Sequence, residues 1–269
     1  MGGVAVCGAM GRMGRAILCI LGENPCGLTL SGAVETAGHP LIGRDAASVA
    51  GGGRTGVLVC DDFGKAVAEA DVAIDFSTAE NSVRNAFLAS AAGKPIVIGS
   101  TGIRADQLDR IREAAGKTAI VQSPNMSIGV NLMFRVAADV ARVLGDDYDV
   151  EIVETHHRFK KDAPSGTAVK LADIVASVLE RNMEEVGVYG RKGMTGERSR
   201  KEIGVFAMRS GDVVGEHTLV FGGIGERLEI THRAQSRDTF ARGAVRAASW
   251  VLGKPPGLYD MADVLGFRR

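Results

Sequence analysis

The chain has 269 residues, 32 basic and 32 acidic side chains, 45% hydrophobic residues, 36 glycines and few aromatics. The absence of a basic excess argues against a general nucleic-acid binder, although a local basic patch is compatible with it. The length fits one large or two modest domains, and the glycine-rich, aromatic-poor composition fits an α/β enzyme of tight turns. No run approaches the ~20 apolar residues of a membrane span, and the start M-G-G-V-A-V-C-G lacks the basic stretch and apolar core of a leader peptide. The expectation is an unprocessed cytoplasmic protein. Cys7, Cys19, Cys26 and Cys60 show no C-x-x-C spacing and read as reduced thiols with no zinc site.

In chain order, Val4 to Cys7 is a short buried-strand run. It is followed by Gly8-Ala9-Met10-Gly11-Arg12-Met13-Gly14 and by the helical spacing of Ala16, Ile17, Ile20 and Leu21. Strand, glycine turn and helix form a dinucleotide fingerprint. The glycines let the backbone approach a pyrophosphate, and the helix start supplies N–H donors. The spacing is G-x-x-G-x-x-G, with Met10 in place of the usual second glycine. A second strand, Leu28 to Val34, ends at Glu35, about 20 residues beyond the turn, where an acid binds the adenosine ribose hydroxyls. A carboxylate there repels a 2′-phosphate. NADH is therefore the expected cofactor, with NADPH tolerated through Arg12 or Arg15.

Residues 41–55 read as loop, 56–60 as a strand and Phe63 to Ala70 as a short helix. Val72 to Phe76 is a buried strand, and Ser77-Thr78 caps a helix from Ala79 to Ala92. Ile96 to Ile98 then runs into Gly99-Ser100-Thr101-Gly102, a turn placed at a strand's carboxyl end and so expected to line the cofactor crevice. A helix from Ala105 to Ala115 leads to the strand Ala119 to Val121 and the turn Ser123-Pro124-Asn125-Met126. This alternation requires a parallel sheet with helices on both faces.

A helix from Asn131 to Leu144 carries the chain to the stretch E-I-V-E-T-H-H-R-F-K-K-D-A-P-S-G-T, residues 151–167. Val150, Ile152 and Glu154 alternate with Glu151, Val153 and Thr155, a strand that delivers His156 and His157 to its end. Pro164 stops the ladder, because it lacks an N–H. Ser165-Gly166-Thr167 opens a helix whose N–H groups, hydroxyls and dipole suit an anion. A proton donor with a pKa near ~6.5, a permanent cation from among Arg158, Lys160 and Lys161, and a helix-start anion site form a set for reducing an anionic substrate. Asp162 is expected to pair with a neighbouring cation. Residues 189–201 read as irregular, and 203–209, 213–221 and 227–233 as strands of a mixed or antiparallel sheet. Glu216, His217 and His232 read as ordinary sheet-face residues. A helix from Asp238 to Leu252 follows, and Pro255 to Phe267 returns to the first domain.

The string E-T-H-H-R-F-K-K-D-A-P-S-G-T-A, the glycine turn, G-S-T-G and the late G-E-R-L-E-I-T-H-R-A together resemble the dihydrodipicolinate reductase family, also called 4-hydroxy-tetrahydrodipicolinate reductase, of the diaminopimelate and lysine pathway. G-x-x-G-R-M-G is the usual turn of that family. The resemblance implies NAD(P)H-dependent reduction of a cyclic dicarboxylate, with Lys160 as proton donor and charge stabiliser and His156 as general acid or base. It assigns His157, Ser165, Gly166 and Thr167 to the substrate carboxylates. Gly8, Ala9, Met10, Gly11, Arg12, Met13, Glu35, Gly99, Ser100, Thr101, Ser123, Pro124, Asn125 and Met126 fall to the cofactor, and no metal is implied. Many relatives carry an arginine next to the ribose acid, where Thr36 stands here.

The expected architecture is a Rossmann-like doubly wound parallel sheet over residues 1–127 and 238–269, with a second α+β domain on a mixed or antiparallel sheet over 128–237. The second domain is expected to bind substrate and to build a homotetramer, with no membrane or nucleic-acid partner. Two other readings are an amino-acid-pathway dehydrogenase of similar architecture and a non-catalytic dinucleotide sensor, the latter having no need of His156 and Lys160 together.

Overall fold

The computed structural model describes residues 2–268. The chain divides into two compact units, Met1–Ile128 with Arg237–Arg269, and Gly129–Ser236. The elements in order begin with β1 (Gly2–Cys7), α1 (Arg12–Gly22), β2 (Leu28–Val34), α2 (Ala46–Val49), β3 (Val59–Cys60), α3 (Phe63–Ala68), β4 (Val72–Asp75), α4 (Ala79–Ala91), β5 (Ile96–Ile98), α5 (Ala105–Ala115) and β6 (Ala119–Gln122). Then come α6 (Ile128–Leu144), β7 (Asp149–His156), α7 (Gly166–Val178), α8 (Met183–Val186), β8 (Gly187–Val188), β9 (Ile203–Arg209), β10 (Gly215–Gly222) and β11 (Arg227–Ala234). The chain ends with α9 (Asp238–Val251), β12 (Gly257–Tyr259) and α10 (Met261–Val264).

The first unit is a parallel sheet in the order β12-β6-β5-β4-β1-β2-β3. Its strands read as continuous apolar runs because both faces are covered. Val4, Val6, Ile74, Val97 and Val121 pack into one layer with Ile17 and Leu21 of α1 and Ala244, Val245 and Ala248 of α9. Their neighbours Ala5, Cys7, Ala73, Ile96, Ile98 and Ile120 face the other way, into a layer with Val67 of α3, Ala86 of α4 and Ile111 of α5. Each fully buried Val or Ile stabilises the unit by about 1.5–3 kcal/mol. The strand order reverses between β1 and β4, and at such a switch point the loops beyond the carboxyl ends separate and leave a crevice.

Local departures from the sequence reading have identifiable causes. Residues 41–55 contain α2, because Asp45 caps it by accepting from Ser48 N–H at 3.0 Å. The same carboxylate accepts from Thr55 and Gly56 N–H at 3.1 and 2.7 Å. That holds the start of the expected 56–60 strand in the loop, and only Val59–Cys60 joins the sheet. β10 begins at Gly215 rather than 213, since Val213 N–H is drawn into a turn by Ser210 C=O. α6 starts at Ile128, three residues before the expected Asn131, so Gly129 does not delay it.

The second unit is a mixed sheet, β11-β10-β7-β9-β8, antiparallel on one side of β7 and parallel on the other. Val150, Ile152, Val205, Leu219 and Phe221 face Val130, Met133 and Ala137 of α6 and Leu171 and Val175 of α7 in one core. The irregular stretch after β8 is fastened to the sheet by Arg198, which donates to Asp149 and Glu151 at 2.7 and 2.9 Å. No helix among the described residues is long and apolar enough to cross a membrane.

Candidate active site

In the first unit the β1–α1 turn is built by its glycines. Gly8 has φ +67°, and a Cβ on Gly14 would sit 2.1 Å from the Gly8 carbonyl oxygen, so only glycine allows α1 to start this close to β1. Gly11 caps α1 with no side-chain hydrogen bond, leaving the first-turn N–H groups of Arg12 and Met13 as donors at a positive helix end. Ala9 and Met10 are buried beneath them. A cavity of about 420 Å³ brings Gly11, Arg12 and Met13 together with Gly99, Ser100 and Thr101 after β5 and with Pro124, Asn125 and Met126 after β6. Ser123 is buried behind it and donates its hydroxyl to Asn125 C=O at 2.9 Å, which shapes that turn. Phe76, Ser77 and Phe240 line the same cavity, although the sequence reading assigned none of them.

Glu35 lies at the end of β2, with Thr36, Asp61 and Arg84, in a neighbouring cavity of about 210 Å³ that shares Ser77 with the first. Its carboxylate accepts from Met10 N–H at 3.0 Å and Thr36 N–H at 2.9 Å, so this acid is tied to the glycine turn. Of the two arginines proposed to reach a 2′-phosphate, Arg15 is occupied by Met10 C=O through Nε at 3.0 Å. Arg12 lies close enough to Arg237 that, with burial as the larger cause, it lowers the pKa of that guanidinium. Two cations beside one turn suit a pyrophosphate.

In the second unit the sequence-assigned residues fall at the end of β7 and the start of α7. Ser165 caps α7, its Oγ accepting from Ala168 N–H at 3.2 Å, and Gly166 and Thr167 form the first turn. No side chain crowds Gly166. Lys160 pairs with Asp162 at 2.8 Å, which draws the Asp162 carboxyl below its usual range. His157 follows the strand, with its Nδ1 buried and without a hydrogen-bond partner among the described residues. His156 Nδ1 lies 2.5 Å from Glu154 Oε2, and the His156 ring meets the His217 ring edge-on at 5.2 Å.

Three members of this cluster escaped the sequence reading. Glu154 is fully buried and grips Arg209, whose two Nη atoms donate to it at 3.0 and 3.1 Å. Its position on the Val150–Ile152 face was the available signal, since a charge on a buried strand face is rarely unpaired. Arg209 gave no such signal at the end of β9. His217 is a correction: it is buried and its Nε2 lies 2.9 Å from Ser165 Oγ, because the β10–β7 register sets it opposite Glu154. Burial, assisted by the nearby His156, depresses His217 to about 3, so its ring is neutral. His156 is also lowered by burial, with Glu154 acting in the opposite direction. No group of three or more His, Cys, Asp or Glu among the described residues is arranged to hold a metal.

A crevice at the switch point of a parallel sheet, a glycine turn and an acid at the end of the second strand define a Rossmann-type fold of the dinucleotide-binding kind, here with a second unit that carries histidines and a lysine near a helix start. The models described as Dihydrodipicolinate reductase, N-terminus and C-terminus match residues 3–126 and 129–265. The 4-hydroxy-tetrahydrodipicolinate reductases of Syntrophus aciditrophicus and Anaeromyxobacter dehalogenans strain 2CP-1 are 56% identical over 263 residues and 57% identical over 265, each match covering 98% of both chains. The dipicolinate-bound dihydrodipicolinate reductase from Paenisporosarcina sp. TG-14 superposes with a TM-score of 0.77 at 25% identity, over 98% of each chain. The chain belongs to the dihydrodipicolinate reductase family.

Proposed function

We propose that the protein reduces 4-hydroxy-tetrahydrodipicolinate, through dihydrodipicolinate, to tetrahydrodipicolinate with loss of water, as a step of diaminopimelate and lysine biosynthesis. The observation that carries this reading is the co-occurrence, in a member of this family, of a glycine-built dinucleotide turn and a proton-donor cluster beside a helix start. The relative from Paenisporosarcina is described as bound to dipicolinate, a planar ring dicarboxylate, and the same substrate class fits the second unit here. The first turn of α7, with Ser165, Gly166 and Thr167, supplies donors for one carboxylate, and His157 lies at the end of the neighbouring strand.

The family uses a nicotinamide dinucleotide, which when bound supplies the hydride. The residues of the first unit fit it. Arg12 and Met13 N–H face the pyrophosphate position, and the missing Cβ of Gly14 keeps the turn close to β1. Gly99, Ser100 and Thr101 with Pro124, Asn125 and Met126 line the cavity for the nicotinamide half, Ser123 supports that turn from behind, and Glu35 accepts from the adenosine ribose. Glu35 and the absence of a cation at Thr36 favour NADH, and Arg84 on the same cavity accounts for tolerance of NADPH. Lys160 and His156 stabilise the negative charge that develops on the ring as hydride arrives and return one proton to it, an interaction made mostly in the transition state.

We assign the open face of the mixed sheet to a homotetramer. Met208 on β9 and Thr218 and Val220 on β10 lie on the side away from α6 and α7, and Met208 is 53% exposed. The four free cysteines suit a cytoplasmic setting. The test is NADH oxidation with the unstable substrate generated in place by the preceding synthase, run beside aspartate semialdehyde as alternative oxidant and beside homoserine with NAD+ in the opposite direction. Synthase-dependent oxidation supports the reading. Turnover of a semialdehyde or homoserine in its place would overturn it.

A further inference from the structure

The His156 ring is held by a carboxylate that the proposed reaction does not itself use. Glu154 lies two residues earlier on β7 and is fully buried. Both of its oxygens are occupied. Oε1 accepts from Ser165 N–H at 3.0 Å and from Arg209 Nη2 at 3.1 Å, and Oε2 accepts from Arg209 Nη1 at 3.0 Å beside His156 Nδ1 at 2.5 Å. Arg209 is itself fixed, donating to the carbonyls of Asp162 at 2.7 Å and Met208 at 2.6 Å. Burial alone pushes the Glu154 carboxyl up, but the Arg209 guanidinium and the His156 ring outweigh it and hold the group below its usual range. It is therefore ionised at neutral pH and able only to accept. The proton between the two residues belongs to His156 Nδ1.

That assignment settles the other nitrogen. In the neutral ring Nε2 carries the lone pair, and in the charged ring it carries the second proton. Nε2 makes no hydrogen bond to the described residues. It lies beside Gly215, where a Cβ would come within 3.0 Å of it, so the absent side chain keeps this edge of the ring open.

We propose that Glu154, clamped by Arg209 and the Ser165 N–H, is the positioning residue that holds His156 as its Nδ1–H tautomer and leaves Nε2 as the atom that exchanges the proton with substrate. The inference rests on the proton role given to His156 above. In the transfer the Nε2–H bond breaks and the proton goes to the reduced ring. His156 returns to the neutral Nδ1–H form and is recharged from solvent.

The groups that face His156 are Glu154 on its own strand, Arg209 on β9, His217 on β10, and Lys160 in the turn after β7, itself paired with Asp162. Burial, Lys160 and Arg209 all disfavour the charged ring, and Glu154 opposes them. Loss of the Glu154 charge therefore makes His156 harder to protonate.

Two measurements test this. Nitrogen NMR of the wild-type protein labelled with 15N-histidine, with His156 assigned from the signal lost in His156→Asn, should show a neutral ring protonated at Nδ1. An Nε2–H tautomer would overturn the proposal without any variant of Glu154 having to fold. Glu154→Gln should lower kcat/KM on the order of 10- to 100-fold and move the limb of the pH–rate profile that belongs to His156 to lower pH, with NADH affinity kept and activity partly restored in Glu154→Asp. A uniform loss with no movement of that limb would mean that Glu154 is only structural. His156→Asn separates the two readings: full activity in that variant removes the proton role of His156, whereas an inactive His156→Asn with the wrong wild-type tautomer removes only the role of Glu154.

Discussion

Replacing Gly14 by alanine separates two opposing effects of known size. Alanine is the better helix former by about 1 kcal/mol, so propensity alone predicts stabilisation. The new Cβ, however, would stand 2.1 Å from Gly8 O and 2.6 Å from both Ala9 C and Ala9 Cα. All three contacts are backbone, which no rotamer change relieves. Reaching an ordinary contact requires the turn and α1 to separate by about 1 Å, and overpacking of this kind costs about 1–3 kcal/mol or more. The clash wins. It also moves the N–H groups of Arg12 and Met13 away from the pyrophosphate position. Urea denaturation should show lower stability for Gly14→Ala than for wild type, and calorimetry should show weakened NADH binding. Saturating NADH, which at 100 times its Kd adds about 2.7 kcal/mol to the wild type, should then add less to the variant. Gly22→Ala in the same helix meets nothing within 4 Å and is the control, expected to be neutral or slightly stabilising. Wild-type stability and NADH affinity in Gly14→Ala would refute the reasoning.

Further expectations concern the cofactor, the α7 cap and acid stability. Thr36→Arg should raise the NADPH-to-NADH ratio of kcat/KM on the order of 10-fold or more, the worth of a charge-assisted hydrogen bond. Arg84→Ala should raise KM for NADPH while leaving KM for NADH nearly unchanged, and equal effects on both would remove Arg84 from phosphate recognition. Ser165→Ala removes a cap worth about 1 kcal/mol and the partner of His217 Nε2, worth about 1–3 kcal/mol, so denaturant unfolding should register a loss of roughly 2–4 kcal/mol. His217, depressed to about 3, is neutral when folded but binds a proton when unfolded below about pH 6.5. The unfolded state then holds the extra proton, so stability falls as pH drops from about 6.5 towards 3. The slope of unfolding free energy against pH in that window should be shallower in His217→Gln. An unchanged slope would contradict the burial argument.

The parallel sheet was legible because strands covered on both faces are written as apolar runs, and β2, β5, β9 and α5 fall within the residues that the sequence marked. Turn chemistry was legible where glycine or proline had one reading, as at Gly8 and Pro164. It was not legible at Asp45, whose side chain captures N–H groups 3, 10 and 11 residues away and so decides both α2 and the start of β3. The same limit applies to the candidate active-site cluster. His156 and Ser165 announce themselves locally, but Arg209 and His217 join them only through strand register, with Arg209 opposite His156 and His217 opposite Glu154. Sequence spacing of 52 and 55 residues conceals bonds of 2.9 and 3.0 Å.

The central claim is that this chain reduces a ring dicarboxylate through the loop after β7, and Lys160→Ala tests it most directly. Among the described residues Lys160 Nζ bonds only the exposed Asp162 carboxylate, at 2.8 and 2.9 Å, so its removal leaves no described buried group unpaired and the fold should survive. In the synthase-coupled assay the account predicts a kcat/KM lower by two or more orders of magnitude, with wild-type NADH affinity and wild-type thermal unfolding. Undiminished turnover by the folded variant would contradict it.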